Sequence, residues 1–219
     1  WLNGLIPGVV NGDGIMDTLH PGIALVDTAA LTTQLEGIIT VELYGIQHLD
    51  SLNYFLFDAS NSFNIQLAQL VIIGVPSVIR TVNIHVDGPT SITLPDMPTR
   101  MDNLSLRGGN QDGYERILSI GQMPDSLNSF ILSGFDSLSW SGSPYSSVLA
   151  LTGGLLGGYP IHYGSITIPT CTCDNMQIDA TTCNGDMDLR SIITRQVSFS
   201  NTAVMGTLFL PSGLDIVWF

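Results

Sequence analysis

Apolar residues recur at fixed distances after several prolines of this chain. They lie three, six and eight positions beyond the proline in four segments. The pair at six and eight has the two-residue period of a strand with one buried face. The residue at three is expected to pack inward from the preceding turn. In chain order the sets are Ile79, Val82 and Ile84 after Pro76; Met101, Leu104 and Leu106 after Pro98; Leu127, Phe130 and Leu132 after Pro124; and Tyr163, Ile166 and Ile168 after Pro160.

Two further segments carry a reduced form of the same pattern. The unit after Pro144 is one residue short and supplies only Leu149 and Leu151, and an earlier unit without a proline supplies Leu52, Phe55 and Phe57. A proline placed before a strand stiffens the turn and stays out of the hydrogen-bonded ladder.

The spacing of these units predicts a solenoid. Successive prolines lie 22, 26, 20 and 16 residues apart, close to the roughly 20–29 residues of a leucine-rich repeat. Stacked coils would each give one strand to a continuous parallel sheet. We therefore predict a β-rich, leucine-rich-repeat-like right-handed coil over residues 49–169, an N-terminal cap and first coil over 1–48, and a β-rich C-terminal cap over 170–219. An ordinary β-sandwich with regular turns is the alternative.

Three segments resemble one known group of repeat proteins. Residues 94–106 read LPDMPTRMDNLSL, residues 11–18 read NGDGIMDT ahead of Gly22-Ile23, and residues 45–52 read GIQHLDSL. These phrases resemble the repeat, the N-terminal cap and the first repeat of secreted leucine-rich-repeat proteins of Bacteroidota, which are surface proteins associated with type IX secretion. The resemblance implies an extracellular or cell-surface location. The chain starts at Trp1 without an initiator Met, so we expect that a leader was removed or that the chain was trimmed. Secreted members of this group usually carry a C-terminal sorting domain, and none is visible here, so we expect that it was cleaved, trimmed or never present.

The charge composition argues against two classes of partner. Charged residues make up 11% of the chain, the formal net charge is -13, and all six basic residues are arginine. Because binding to nucleic acid relies on basic side chains that neutralise phosphates, we expect no nucleic-acid partner. No run of about 18 apolar residues occurs, so we expect no membrane insertion either.

The three cysteines, Cys171, Cys173 and Cys183, lie in one segment. One interpretation is three buried thiols. The other is a disulfide that joins Cys183 to Cys171 or Cys173 and leaves one thiol over. Since disulfides persist in oxidising compartments, an extracellular location favours the disulfide.

Acidic residues near Asn-Gly turns are the weak candidates for a cofactor site. Asp13, Asp17, Asp186 and Asp188 offer the hard oxygen ligands that calcium prefers, but Asn-Gly and Asp-Gly turns account for the same residues without a metal. We expect no metal or other cofactor, with calcium as the alternative.

A tripeptide of Asp, Ser or Thr, and an aliphatic residue occurs five times. It resembles the O-glycosylation acceptor of the same bacterial group, although Asp-Ser-Leu is also repeat consensus where the leucine fills a core position. The candidate acceptors are Thr18, Thr28, Ser51, Ser126 and Ser137.

No motif of a catalytic site is present, and we expect no enzyme. The four histidines lie in no recognisable nucleophile or metalloprotease motif. Our first hypothesis is therefore a non-enzymatic extracellular module for adhesion, with a protein or glycan as ligand. Its binding surface would be the exposed strand positions, namely Arg80, Asn83, His85, Asn103, Ser105, Ser129, Ile131 and Ala150.

The second hypothesis is a structural subunit that assembles with copies of itself into a filament or surface layer. Both ends of the chain are apolar, and solenoids need polar caps to stay soluble. These ends either fold back onto the core or bury themselves in a neighbour. The residues concerned are Trp1, Leu2, Val217, Trp218 and Phe219. A hydrolase is the third hypothesis.

Overall fold

Apolar positions that recur once per coil can be buried together only when the coils stack, and this is how the chain folds. The protein is a parallel β-solenoid in this computed structural model, which describes residues 2–3, 8–10, 16–17, 23–27, 35–42, 54–59, 65–75, 77–86, 91–108, 116–152 and 161–219. The elements within these ranges are all strands.

Most coils of the N-terminal and central regions contribute two strands, one on each side. In chain order the strands of these regions are β1 (Leu2–Asn3), β2 (Gly8–Val10), β3 (Met16–Asp17), β4 (Ile23–Asp27), β5 (Leu35–Glu42), β6 (Tyr54–Ala59), β7 (Ile65–Ile73), β8 (Thr81–Val86), β9 (Ser91–Leu94), β10 (Asn103–Arg107), β11 (Ile117–Gln122), β12 (Ser126–Ser133), β13 (Ser137–Ser141) and β14 (Tyr145–Thr152).

The C-terminal coils contain shorter strands. These are β15 (Ile161–Tyr163), β16 (Ile166–Thr167), β17 (Cys171–Asp179), β18 (Thr181–Cys183), β19 (Met187–Asp188), β20 (Ile192–Ile193), β21 (Gln196–Ser200), β22 (Ala203–Val204), β23 (Leu208–Phe209) and β24 (Ile216–Trp218).

Two large sheets form opposite sides of the solenoid. The twelve-stranded sheet has the order β24-β21-β17-β14-β12-β10-β8-β6-β4-β2-β3, and β20 also pairs with β17. The six-stranded sheet has the order β1-β5-β7-β9-β11-β13. Pairing is parallel throughout both sheets except between β2 and β3. In the last coils the second side is formed by two three-stranded sheets, β15-β18-β22 and β16-β19-β23.

The register of the twelve-stranded sheet aligns the predicted apolar positions into rows. Leu104 pairs with Val82 on one side and with Phe130 on the other, and Leu149 continues the row after Phe130. The row at offset eight is aligned in the same way. Both rows are buried, which confirms the predicted inward face: Phe55, Val82, Leu104, Phe130 and Leu149, then Ile84, Leu106, Leu132 and Leu151.

The remaining core positions come from the turns and from the second sheet. The predicted residues at offset three, Ile79, Met101 and Leu127, are buried. β9 and β11 of the six-stranded sheet alternate buried residues with half-exposed or exposed ones. This sheet adds further apolar side chains to the same core, among them Leu70, Ile72, Ile92, Leu94, Leu118 and Ile120. Leu52 lies outside the described residues.

The unit after Pro160 does not occupy the predicted place. Ile166 and Ile168 are buried in the common core, but Ile166 belongs to β16 in a small sheet on the second side. The strand that follows β14 in the twelve-stranded sheet is β17. The prediction was wrong because an apolar offset pattern reports burial and does not distinguish the two sides of a coil.

The predicted boundary at residue 170 does not interrupt the large sheet. β17 pairs with β14 before the boundary and with β21 after it, and β24 follows β21. Residues 170–219 therefore continue the stacking that residues 49–169 begin. On the N-terminal side, β1 to β5 also join the two large sheets. This pairing establishes a β-solenoid, while the leucine-rich-repeat character and the right-handed sense remain predictions.

A 21-residue repeat within the C-terminal coils is the sequence signal of this continuation. Gly164, Gly185 and Gly206 recur at that interval, and the Gly206 amide donates to the Gly185 carbonyl at 3.1 Å. A Cβ atom at Gly206 would lie 2.5 Å from the Gly185 carbonyl oxygen. At Gly185 and Gly206 the backbone of the preceding coil thus leaves no room for a side chain, whereas a Cβ atom at Gly164 would meet no atom within 4 Å.

Replacing Leu104 by aspartate should unfold the protein. Leu104 is fully buried, and a buried, unpaired carboxylate destabilises a fold by several kcal/mol. The matched control is Ser105→Asp, which changes the neighbouring, half-exposed position of the same strand. Circular dichroism should give a cooperative thermal transition for the control and none for Leu104→Asp. Equal melting temperatures would contradict the assignment of the inward face.

Candidate functional site

The outward face of the twelve-stranded sheet brings together most of the predicted binding residues. Asn83, Ser105, Ile131 and Ala150 follow one another in register across four strands. Asn103 and Ser129 form part of a parallel row, one coil apart. The predicted surface therefore consists of rows of side chains that run along the solenoid axis.

Three of the predicted residues differ from this pattern. Ala150 is 5% exposed, so its prediction as an exposed strand position was wrong. Arg80 is exposed on the turn before β8, where its guanidinium donates to the Arg100 carbonyl at 3.0 Å. His85 is half-exposed and lies in register with Arg107 at the rim.

Sequence reasoning missed the continuation of both rows toward the C-terminus. Gln177 and Ser198 follow Ala150 in the first row, and Asn175 and Gln196 follow Val148 in the second. Their spacing of about one coil could have revealed them. With these residues the outward face is lined mainly by hydroxyl and amide groups, and the ionisable His85, Arg107 and Asp179 share one rim.

A second candidate site is a groove on the opposite side of the solenoid, where the six-stranded sheet ends at β13 and β16 lies beside it. Its volume is about 410 Å³. The residues that line it are Asp136, Ser137, Leu138, Trp140, Gly142, Ser165, Thr167, Ile168, Pro169, Thr170 and Ser191. No sequence pattern pointed to this groove, because its residues come from three separate segments.

An ion pair between the buried Arg116 and the partly exposed Asp136 fixes the edge of this groove. Asp136 receives hydrogen bonds from the Arg116 guanidinium at 3.0 and 3.1 Å and from the Arg116 amide at 2.9 Å. The Arg116 side chain is 3% exposed. This two-pronged geometry joins the start of β11 to the start of β13 and neutralises the carboxylate at the groove edge.

The acidic calcium candidates have other roles in the described part of the chain. The Asp186 carboxylate accepts a hydrogen bond from the Thr207 amide at 2.7 Å, and Asp188 pairs with Arg190 at 2.6 Å. The Arg190 hydrogen bonds lower the pKa of Asp188 to about 2. No group of three or more metal-ligating side chains occurs within the described ranges. Asp13 lies outside those ranges, and Asp17 is described in β3 only by its backbone.

Two of the glycosylation candidates can be placed. Ser126 and Ser137 are half-exposed first residues of β12 and β13, and Ser137 lines the groove. The next residues, Leu127 and Leu138, pack in or against the core. Thr18, Thr28 and Ser51 lie outside the described residues. Glycosylation remains a prediction.

Comparisons with known proteins do not assign a family. No protein-family model matches the chain, and searches of curated proteins and of solved structures also gave no match. The assignment of a β-solenoid therefore follows from strand pairing and burial. Among the described residues, no helix has the length and apolar character needed to cross a membrane.

The cysteines do not form the predicted disulfide. Cys171, Cys173 and Cys183 are buried free thiols. Cys171 and Cys173 lie in β17 of the large sheet, whereas Cys183 lies in β18 of a small sheet. The three side chains fill core positions as small apolar groups. Burial, with a smaller effect of Cys173, raises the pKa of Cys171 to about 12.

Alkylation should therefore find three protected thiols. Without reductant and at pH 8, iodoacetamide should modify the native protein slowly, because burial limits access and raises the pKa of each thiol. In denaturant the intact mass should rise by three adducts. A single adduct in denaturant would contradict the assignment of three free thiols and would support a disulfide between two of the cysteines.

Proposed function

We propose that the protein is a non-enzymatic extracellular module that binds an extended, uncharged ligand along the outward face of its twelve-stranded sheet. The observation that carries the proposal is a pair of in-register rows on that face, running from Asn83 to Ser198 and from Asn103 to Gln196. Most of their side chains carry a hydroxyl or amide group; the exceptions are Ile131 and Ala150 in the first row and Val148 in the second. The proposed location is the outside of the cell or its surface.

The spacing of these rows favours a ligand with a repeating structure. Parallel strands lie about 4.8 Å apart, so the polar groups of each row are separated by this interval or by a multiple of it where an apolar residue intervenes. Hydroxyl and amide groups both donate and accept hydrogen bonds. A neutral polysaccharide chain presents hydroxyl groups at a comparable repeat, and it has no charge for a protein of formal net charge -13 to repel.

Charge placed in the middle of the face should abolish this binding. The test uses the double variant Ser105→Arg/Gln177→Arg on a microarray of neutral polysaccharides that includes cellulose, xylan and mannan. An arginine would insert a bulky, hydrated charge into a surface that binds through uncharged groups. The matched control is Ser139→Arg, at an exposed position of β13 on the opposite side.

We expect the unmodified protein and Ser139→Arg to bind at least one polysaccharide equally, with little change between low and high salt. The double variant should lose this signal. Equal binding by the double variant, or no binding by the unmodified protein, would contradict the proposal. Release of reducing ends from the bound polysaccharide would contradict its non-enzymatic part.

Self-association is the second candidate, and exposed apolar side chains at β24 favour it. Ile216, Trp218 and Phe219 are 42%, 59% and 89% exposed. Val217 packs against the core and the Phe219 ring stacks on Phe199 at 5.2 Å, so the predicted folding back is partial. Trp1 lies outside the described residues, and Leu2 is described in β1 only by its backbone.

Sedimentation velocity tests this second candidate. If β24 is an assembly surface, Trp218→Asp should yield monomers, because a charge would have to be buried in an apolar interface. Ile193→Asp is the control, since Ile193 is 61% exposed and lies in β20, which pairs with a different strand. If the unmodified protein is monomeric at high concentration, the self-association hypothesis is contradicted.

A further inference from the structure

The groove beside β13 exposes apolar side chains that the preceding coil buries. Leu138 and Trp140 lie in register with Leu118 and Ile120 of β11. Leu118 and Ile120 are 0% and 3% exposed, whereas Leu138 and Trp140 are half-exposed. The difference arises because the six-stranded sheet ends at β13, and no described strand pairs with its other edge.

Trp140 is held in place at this groove by two contacts. Its ring meets Phe130 in a T-shaped arrangement, with centroids 5.4 Å apart and an angle of 67° between the planes. Its indole N–H donates to the Thr170 carbonyl at 3.1 Å. The indole is therefore fixed before any ligand arrives, which lowers the entropy lost on binding.

The groove combines this apolar surface with hydroxyl groups. Leu138, Trp140, Ile168 and Pro169 supply the apolar part, and the hydroxyl-bearing residues are Ser137, Ser165, Thr167, Thr170 and Ser191. The Asp136 carboxylate is paired with Arg116. Among the described residues that line the groove there is no basic side chain.

These features select among possible occupants. An anion would find no basic side chain in the lining, and a divalent cation would find no group of three ligating side chains among the described residues. An inserted peptide strand needs about 9.5 Å between its neighbours, twice the ordinary strand spacing. Cα atoms of β13 and β16 approach within 8 Å, so a strand does not fit between them.

A sugar ring matches the mixed lining. The C–H faces of a pyranose are apolar and can pack on an indole ring, while its hydroxyl groups form hydrogen bonds around the edge. The volume of about 410 Å³ lies within the roughly 300–1,000 Å³ of small-molecule sites. We propose that this groove binds a short neutral oligosaccharide, at a site separate from the outward face of the twelve-stranded sheet.

Tryptophan fluorescence can report on this site alone. The chain has three tryptophans, so the background variant Trp1→Phe/Trp218→Phe leaves Trp140 as the single tryptophan, which is excited selectively at long wavelength. The probes are the disaccharides cellobiose, maltose, lactose and N,N′-diacetylchitobiose. At least one should give a saturable change in emission, with a dissociation constant below roughly 10 mM.

Hydroxyl deletions in this background test whether the groove is responsible. Thr167→Val and Ser137→Ala should each weaken binding by about threefold to tenfold, the equivalent of one net hydrogen bond. Ser139→Ala is the matched control, because Ser139 lies on the same strand but does not line the groove. It should leave the affinity unchanged.

The result would overturn the proposal if none of the four disaccharides gave a saturable change. Unchanged affinity in both hydroxyl variants would overturn it as well. The variant Ser105→Arg/Gln177→Arg, which changes the outward face of the twelve-stranded sheet, should keep the disaccharide response. A loss of polysaccharide binding at that face and a loss of disaccharide binding in the groove can therefore be distinguished.

Discussion

The pairing of equivalent backbone positions in successive coils is the constraint on which the rest of this structure depends. Parallel hydrogen bonding sets the coils about 4.8 Å apart, so each side chain has its counterparts directly before and after it in the stack. Leu104 is buried because Val82 and Phe130 flank it in register. At Gly185 and Gly206 a Cβ atom would lie 2.6 and 2.5 Å from the carbonyl oxygen of the preceding coil, so these corners require glycine.

Electrostatic interactions have a smaller, local role in this fold. Charged residues make up 11% of the chain, and the partly buried pair Arg116–Asp136 joins two coils at one point. Removing one member of such a pair leaves the other charge buried and costly. Near the C-terminus, Arg190 pairs with Asp188 and lies 4.4 Å from the ring centre of Phe209, so one cation supports two coils. Stability therefore rests mainly on the apolar rows.

The two sides of the solenoid offer different surfaces because strand pairing continues on one side and is interrupted on the other. The twelve-stranded sheet runs without interruption past the end of the six-stranded sheet, so side chains on its outward face form continuous rows, most of whose members are polar. The second side changes at β13, where pairing passes from one sheet to two smaller ones. This interruption exposes Leu138 and Trp140, and an irregularity in pairing thereby creates a groove that a regular solenoid lacks.

The sequence by itself determined the solenoid and its inward face, because burial in stacked coils imposes a local period that apolar residues such as Leu104, Leu106, Phe130 and Leu132 must follow. It also located the first part of each outward row, from Asn83 to Ile131 and from Asn103 to Ser129, since these positions alternate with the buried ones. It did not determine which side of a coil a unit occupies, as Ile166 and Ile168 demonstrate. The state of the thiols and the groove at Trp140 were decided by the tertiary structure alone. Cys171 and Cys183 are close in sequence, but the coil places them in different sheets, and the groove residues come from separate segments that meet only when the coils stack.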